Sequence, residues 1–232
     1  MSDIFDGILL VDKPKGPTSH DIVDAVRRRF HCKRVGHCGT LDPMATGLLI
    51  LVLGRATKLA DKFSGEDKTY TGTMLLGIET DTQDAEGESV ATKEVPPLTP
   101  DQIEAAFAKF RGDVMQTPPM YSAKKIAGQV LYRAARKGKD IPREPKLVHI
   151  YDLRVTALDL PRVSFLMTCS KGTYVRTIAT DIGRDLGCGA HLVEIRRHAS
   201  GRFRIENAHP LADILTRTAD QLREWLISPL SL

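Results

Sequence analysis

The chain has 232 residues, 42% apolar and 27% charged, so it can bury a sizeable core and is too apolar to be disordered throughout. No apolar run approaches the roughly 20 residues that span a bilayer, and the charged N-terminal segment is unlike a signal peptide. The four cysteines form no C-x-x-C pair, which favours a reducing compartment over a disulfide framework. We therefore expect a cytoplasmic protein without a membrane contact.

Basic residues are unevenly distributed, although the net charge is only +4. The segment 121–146 carries two acids against the basic residues Lys124, Lys125, Arg133, Arg136, Lys137, Lys139, Arg143 and Lys146. A second basic run occupies residues 27–34. Either run alone is about equally compatible with a solvated helix face and with a phosphate-binding surface, but the two together favour contacts with phosphates.

In the N-terminal part, Gly7–Val11 is predicted to be a short buried strand, followed by a Pro- and Gly-rich loop. Ser19 is a candidate N-cap, because apolar residues at helical spacing follow it. Residues 34–47 are predicted to be a loop, and Leu48–Leu53 reads as a strand buried on both faces.

The central part alternates strand and helix signals. The capping box that begins at Thr99 predicts a helix over 100–111. The other predicted elements are a strand over 68–78, an exposed acidic loop or hairpin up to Thr92, a helix over 129–137, strands over 147–157 and 162–169, and a helix from the cap Thr173 to Leu186.

These elements show no repeating βαβ period. We therefore predict an α+β fold, in which a mixed, mostly antiparallel central sheet is flanked by helices and loops. Residues 1–205 are expected to form one domain. Residues 206–232 are too few for an independent core and are expected to be a short helical appendage.

The most unusual segment is a loop containing a single acid, Asp42. Glycines fix an uncommon backbone path, and Pro43 disfavours helical geometry at Asp42. Such a loop could hold a carboxylate rigidly as a nucleophile, although an Asp in a Gly-rich turn is more often a local turn residue. The loop reads Gly36-His37-Cys38-Gly39-Thr40-Leu41-Asp42-Pro43-Met44-Ala45-Thr46-Gly47.

The pattern GH-x-G-x-LDP-x-ATG resembles the signature of the TruB family, the bacterial tRNA pseudouridine-55 synthases. The similarity continues in the family's order over residues 7–203. It includes Lys13-Pro14-x-Gly16-x-x-Ser19, Lys68-x-Tyr70, Thr80-Asp81-Thr82-x-Asp84, Gln116-x-Pro118-Pro119-x-Tyr121-Ser122-Ala123-x-Lys125 and Gly172-Thr173-Tyr174-Val175-Arg176. Each motif alone would be weak, but chance agreement of all of them in order is negligible.

The resemblance implies the pseudouridine synthase fold, with residues 1–205 as the catalytic domain. It also implies that Asp42 is a nucleophile toward C6 of the base or C1′ of the sugar, two routes that the sequence leaves open. Arg176 matches the arginine that pairs with this aspartate, where lysine should be a poor substitute. Tyr70 matches an active-site tyrosine that stacks on the target uracil and is a candidate acid or base at C5.

The resemblance further implies that His37 contacts RNA around an extruded nucleotide, and that Tyr174 and Ile195 line the pocket. Ile195 replaces the usual leucine, which should alter packing only. Lys13 and Lys125 are expected to bind substrate. The implied partner is the T-arm of tRNA, bound by a monomer that needs no protein partner. No metal or cofactor is implied, because the reaction involves no redox change.

Three other functions remain open at this point. His31-Cys32 with His37-Cys38 could suggest a metal site, but adjacent side chains usually point apart. A hydrolase based on His37 and Cys38 is poorly placed for the same reason, and it would require that Cys38→Ser abolish activity. A non-catalytic RNA-binding module would use the same basic surface without turnover.

Two departures from the family concern residue identity and length. Cys38 stands where a threonine is usual, which could create an oxidation-sensitive position near Asp42. Many members carry a C-terminal PUA domain of some seventy or more residues, and residues 206–232 are too few for a complete one, so we expect weaker tRNA affinity. Guide-RNA-dependent relatives share the Leu-Asp-Pro core, but the segment 80–84 resembles the stand-alone bacterial type.

Overall fold

The computed structural model describes residues 5–126 and 128–229. The chain forms two compact units. Unit 1 comprises the residues up to Thr69 together with those from Arg196 onward, and unit 2 is Tyr70–Ile195. Within the described ranges, no helix has the length and apolar character needed to cross a membrane.

The strands and helices follow one another without a regular alternation. The strands are β1 Gly7–Lys13, β2 Val35–Cys38, β3 Thr46–Leu53, β4 Lys68–Leu76, β5 Ile78–Thr80, β6 Ser89–Thr92, β7 Gly112–Gln116, β8 Lys125–Ile126, β9 Gln129–Val130, β10 Lys146–Asp159, β11 Arg162–Cys169, β12 Ala190–Ser200, β13 Phe203–Arg204 and β14 His209–Pro210. The helices are α1 Ser19–Phe30, α2 Ala60–Ser64, α3 Pro100–Ala108, α4 Leu131–Ala135, α5 Val175–Asp185, α6 Leu211–Thr216 and α7 Ala219–Trp225.

Strand β3 is the centre of unit 1. It pairs antiparallel with β1 along one edge, where Gly7 lies opposite Leu53 and Lys13 opposite Gly47. Its other edge is shared, because β2 pairs antiparallel with residues 50–53 and β12 pairs parallel with residues 46–47. The connection between β2 and β3, residues 39–45, contains Asp42 and is called the Asp42 loop below.

The apolar residues of β1 and β3 account for the core of unit 1, since the continuous run Leu48–Leu53 is buried on both faces. One cluster packs Ile8, Leu10, Cys38, Leu48, Ile50, Val52, Ala56, Phe63 and Phe203. Helix α1 contributes a buried stripe of Ile22, Val23, Val26 and Phe30, while its last-turn arginines lie on the exposed side.

Unit 2 is built on the strand order β4-β11-β10-β7. Strand β10 pairs antiparallel with both β11 and β7. Helix α3 contacts β10, and the ring of Phe107 meets Phe165 of β11 edge to face at a centroid distance of 6.1 Å. Gly72 of β4 leaves room for the same ring, because a Cβ there would come within 2.6 Å of Phe165.

The expected α+β class with a mixed, mostly antiparallel sheet and flanking helices is confirmed. The strands predicted around 7–11, 48–53, 68–78, 147–157 and 162–169 are present. The hairpin expected before Thr92 is formed by β5 and β6. The Thr99 capping box starts α3, although this helix ends at Ala108 rather than 111.

Other predictions were wrong in detail. Residues 34–47 are not all loop, since β2 occupies Val35–Cys38 and is held by its pairing with β3. The helix predicted over 129–137 is only Leu131–Ala135. Thr173 does not cap α5, because its hydroxyl donates to the Ser170 carbonyl and Tyr174 is the N-cap residue. Strands β7 and β12 were not predicted.

Candidate active site

The Asp42 loop of unit 1 is fixed by buried residues on both sides of its acid. Leu41 is 4% exposed and Met44 3%, while Asp42 itself is half-buried. The Ala45 amide donates to the Asp42 carbonyl at 3.0 Å and closes a tight turn. Leu41 and Met44 are thus anchored in the interior, which restricts the positions open to the carboxylate between them.

Ser19 holds the residue that precedes Asp42. Its hydroxyl accepts from the Leu41 amide at 2.8 Å and donates to the Leu41 carbonyl at 3.0 Å, and the side chain is buried. The prediction that Ser19 caps α1 was wrong. Thr18 is the N-cap, in a capping box with Asp21, which leaves the Ser19 hydroxyl available to the Asp42 loop.

Lys13 holds the residues that follow Asp42. It is fully buried, and its ammonium group donates to the carbonyls of Pro14 at 2.9 Å, Pro43 at 3.2 Å and Ala45 at 2.7 Å. This position favours a role in holding the loop over the direct substrate contact predicted from the sequence. The KP-x-G motif gave the residue but could not reveal its burial, since lysine is rarely buried.

His37 lies on β2 and is half-buried. Burial, assisted by the charges of Arg197 and His20, lowers its pKa below the ordinary value of 6.5. Its Nδ1 is buried without a hydrogen-bond partner among the described residues. The ring is therefore neutral near pH 7, with one nitrogen atom whose hydrogen-bonding capacity is unused.

Cys38 does not have the reactivity that its place in the sequence suggested. It is fully buried in the apolar cluster of unit 1, and burial raises its pKa to about 11. A buried neutral thiol is a poor nucleophile and a poor target for oxidants. The expectation of an oxidation-sensitive position is therefore wrong, and the hydrolase based on His37 and Cys38 has no activated nucleophile.

In unit 2, Arg176 is the second residue of α5 and is 4% exposed, so it is not a surface arginine. Its guanidinium donates to the carbonyls of Thr82 at 2.6 Å and Tyr121 at 2.8 Å. It also lies 3.4 Å from the carboxylate of Asp84, which in turn accepts from the Thr82 hydroxyl at 2.6 Å. The segment 80–84 thus holds Arg176, a role that its sequence did not reveal.

Tyr174 is held by a buried amide. The Gln116 side chain accepts from the Tyr174 amide at 2.8 Å and donates to the Tyr174 carbonyl at 3.0 Å, as a neighbouring strand would. Tyr174 and Ile195 are both half-buried. Tyr70, on β4, is buried with 8% of its surface exposed.

The basic segment of unit 2 lines a cavity of about 340 Å³ that is open to solvent. Its lining includes Arg133, Lys137 and Lys139, as the charge distribution of the sequence suggested. Lys125 begins the short strand β8, and its side chain lies outside the described residues. A cavity with three cationic groups is suited to an anionic partner such as a phosphate backbone.

The chain matches a family model described as TruB family pseudouridylate synthase, N terminal domain, over residues 27–175. A second model, described as the tRNA pseudouridylate synthase B C-terminal domain, matches residues 176–230. The fold is therefore that of a pseudouridylate synthase. The chain belongs to the TruB family.

Curated relatives agree with this assignment. The chain is 50% identical over 223 residues to the tRNA pseudouridine synthase B of Opitutus terrae, covering 96% of this chain and 92% of that protein. It is 46% identical over 226 residues to the tRNA pseudouridine synthase B of Geotalea uraniireducens, covering 97% of this chain and 73% of that protein.

Solved structures of two complexes that contain Cbf5 are similar in fold. The match to the Nop10–Cbf5 complex has a TM-score of 0.70 at 27% identity, covering 96% of this chain and 58% of that chain. The match to a Cbf5–Nop10–Gar1 complex has a TM-score of 0.71 at 30% identity, covering 92% of this chain and 55% of that chain. This chain therefore spans a little over half of the length of these structural neighbours.

Proposed function

We propose that this chain converts uridine 55 in the T-loop of tRNAs to pseudouridine, with Asp42 as its covalent catalyst. The observation that carries the proposal is the anchoring of the Asp42 loop. Ser19 holds the main chain before the acid, and Lys13 holds it directly after. Such rigidity is what a nucleophile needs, because a fixed position avoids the cost of ordering during the reaction.

The reaction requires that the target uridine leave the stacked T-loop, since neither C6 nor C1′ can be reached within it. The bond between N1 and C1′ breaks and a bond between C5 and C1′ forms. The proton on C5 is lost and N1 gains one, so the change is balanced without an oxidant or reductant. No cofactor or metal is needed for these steps, and attack at C6 or at C1′ by Asp42 satisfies the same balance.

Arg176 is proposed to orient and charge-stabilise the Asp42 carboxylate. Its guanidinium is already fixed by the segment 80–84. Tyr70 is proposed to stack on the flipped uracil and to act as acid or base at C5. Tyr174 and Ile195 would complete an apolar wall around the base and exclude water from the intermediate.

The RNA is proposed to be held by its phosphates and by the edge of the extruded nucleotide. His37 would contact the nucleotide as a neutral ring, consistent with its lowered pKa. Lys125 and the basic cavity of unit 2 would contact the T-arm backbone. We propose that the chain acts as a monomer in the cytoplasm, on the T-arm alone and without a protein partner.

The direct test is the release of tritium from 5-tritiated uridine in an unmodified tRNA transcript. We expect Asp42→Asn to lower release by at least about a thousandfold, as removal of a covalent nucleophile does. Asp101→Asn is the matched control, because Asp101 is exposed at the start of α3, and it should match wild type. If wild-type protein binds the transcript and releases no tritium, the chain is a non-catalytic binding module.

A further inference from the structure

Arg197 is a buried cation that the sequence did not single out. It lies on β12, where this strand runs parallel to β3 and places Arg197 opposite Gly47. The side chain is 1% exposed. Gly47 permits this close approach, since its φ is +99° and a Cβ there would lie 2.3 Å from the Arg197 carbonyl oxygen.

The guanidinium of Arg197 binds the main chain at the start of the Asp42 loop and in β3, which follows the loop. Nε donates to the Leu48 carbonyl at 2.6 Å, and Nη2 donates to the Gly39 carbonyl at 3.1 Å. A longer contact of 3.5 Å joins Nη1 to the Thr40 carbonyl. Arg197 thus connects the start of the loop to β3, whereas Lys13 binds the carbonyls of Pro43 and Ala45 that follow the acid.

The positive charge of Arg197 is stabilised by the dipoles of main-chain carbonyl groups. Within the described ranges, no carboxylate forms an ion pair with it, in contrast to Arg196, which pairs with both oxygens of Asp12 at 3.1 and 2.7 Å. A guanidinium stays ionised at any working pH, and its burial without a counterion is costly. The charge of Arg197 also acts on β2, because it contributes to the lowered pKa of His37.

We propose that Arg197 is a positioning residue for the reaction, whose buried guanidinium fixes residues 39–48 so that the Asp42 carboxylate is presented in a single geometry. This inference rests on the proposed catalytic role of Asp42. The rigid planar fork of a guanidinium places its N–H donors on three separate nitrogen atoms, whereas all donors of a lysine ammonium share one nitrogen at the end of a flexible chain and cannot reach the Gly39 and Leu48 carbonyls in the same way. The arginine, and not merely a positive charge, is therefore required.

The test compares Arg197→Lys with Arg196→Lys, which makes the same change one residue away on a half-buried arginine that pairs with a carboxylate. Single-turnover pseudouridine formation is measured with enzyme in excess. Each protein is assayed well below its melting temperature, so that all of it is folded. We expect Arg197→Lys to lower the rate constant by about 10- to 100-fold while the Kd for tRNA changes less than about twofold. Arg196→Lys should match wild type in both quantities.

Hydrogen exchange supplies a readout that is independent of activity. In Arg197→Lys, the amides of residues 39–42, 44 and 45 should exchange faster than in wild type, while those of α3 and β11 should be unchanged. An unchanged rate constant in folded Arg197→Lys overturns the proposal, and so does a rate loss matched by an equal loss of tRNA affinity. If wild-type protein forms no pseudouridine at all, the proposed function fails instead, which separates the two outcomes.

Discussion

Substitution of Ser19 distinguishes an effect on the geometry of the Asp42 loop from a general loss of stability. Ser19→Ala removes a buried group that both accepts from and donates to Leu41, so the Leu41 amide and carbonyl lose their partner. Each unsatisfied buried group costs about 1–3 kcal/mol, and the two together about 2–6 kcal/mol. In a chain of this length, where 1 kcal/mol corresponds to about 2–4 °C, that loss lowers the melting temperature by about 4–24 °C.

The neighbouring residue supplies the control. Thr18→Ala removes the N-cap of α1, which costs about 1 kcal/mol and does not touch the Asp42 loop. Both variants are assayed for kcat at a temperature where both are folded, and their stability is measured by chemical denaturation. We expect Ser19→Ala to lower kcat by about 10- to 100-fold and Thr18→Ala to leave it within about twofold of wild type.

The reasoning would be refuted if Ser19→Ala were destabilised as expected and yet kept the kcat of Thr18→Ala. That outcome would mean that Leu41 can move without displacing the Asp42 carboxylate. The bond between the hydroxyl and Leu41 would then stabilise the fold and contribute nothing to the geometry of the reacting group.

Two further predictions concern charge. Asp84→Asn breaks the buried pair with Arg176 and should destabilise the protein by about 3–5 kcal/mol in chemical denaturation and lower kcat in the tritium-release assay. A change in stability below about 1 kcal/mol would show that Arg176 is held without the charge of Asp84. Burial lowers the pKa of His209, so the folded state binds its proton less readily than the unfolded state, and stability should be lost as pH falls below 6.5. The ring of His209 stacks on Trp225 with a centroid distance of 3.6 Å. His209→Phe keeps a ring but has no titrating group, so its stability should fall less steeply with falling pH than that of wild type, as measured by denaturation followed by Trp225 fluorescence. An equal dependence of stability on pH in the two proteins would contradict the assignment to His209.

Sequence patterns predicted the elements that are specified by residues close together in the sequence. Thr99 and Gln102 form the predicted capping box, with the Thr99 amide donating to Gln102 at 2.8 Å, because both partners lie within one helical turn. The run Leu48–Leu53 was predicted as a buried strand for a similar reason, since no polar residue interrupts it.

The features that the sequence did not predict depend on tertiary contacts. Thr18 and Ser19 are both good N-cap residues, and only the position of Leu41 determines that Ser19 turns to the loop. Strand β12 was hidden because its buried and exposed residues do not alternate regularly and it includes two adjacent arginines. Arginine is rarely fully buried, so the sequence gave no reason to expect Arg197 in the interior.

In the candidate site, too, the sequence predicted some features and missed those that depend on tertiary contacts. The motifs identified His37, Asp42, Tyr70, Tyr174 and Arg176 by their resemblance to the family. Their supports were not visible, because a supporting contact joins distant parts of the sequence. The carbonyls that Lys13 binds at positions 43 and 45, and the reciprocal bonds between Gln116 and Tyr174, are contacts of this kind.

The central claim is that this chain makes pseudouridine at one tRNA position through Asp42. The most direct measurement is chemical mapping of pseudouridine along a whole unmodified tRNA transcript after incubation with wild type or Asp42→Asn. We predict a signal at uridine 55 with wild type, no signal with Asp42→Asn, and none at any position in a transcript carrying cytidine at 55. A wild-type signal at another uridine, or a signal at 55 that survives in Asp42→Asn, would contradict the account.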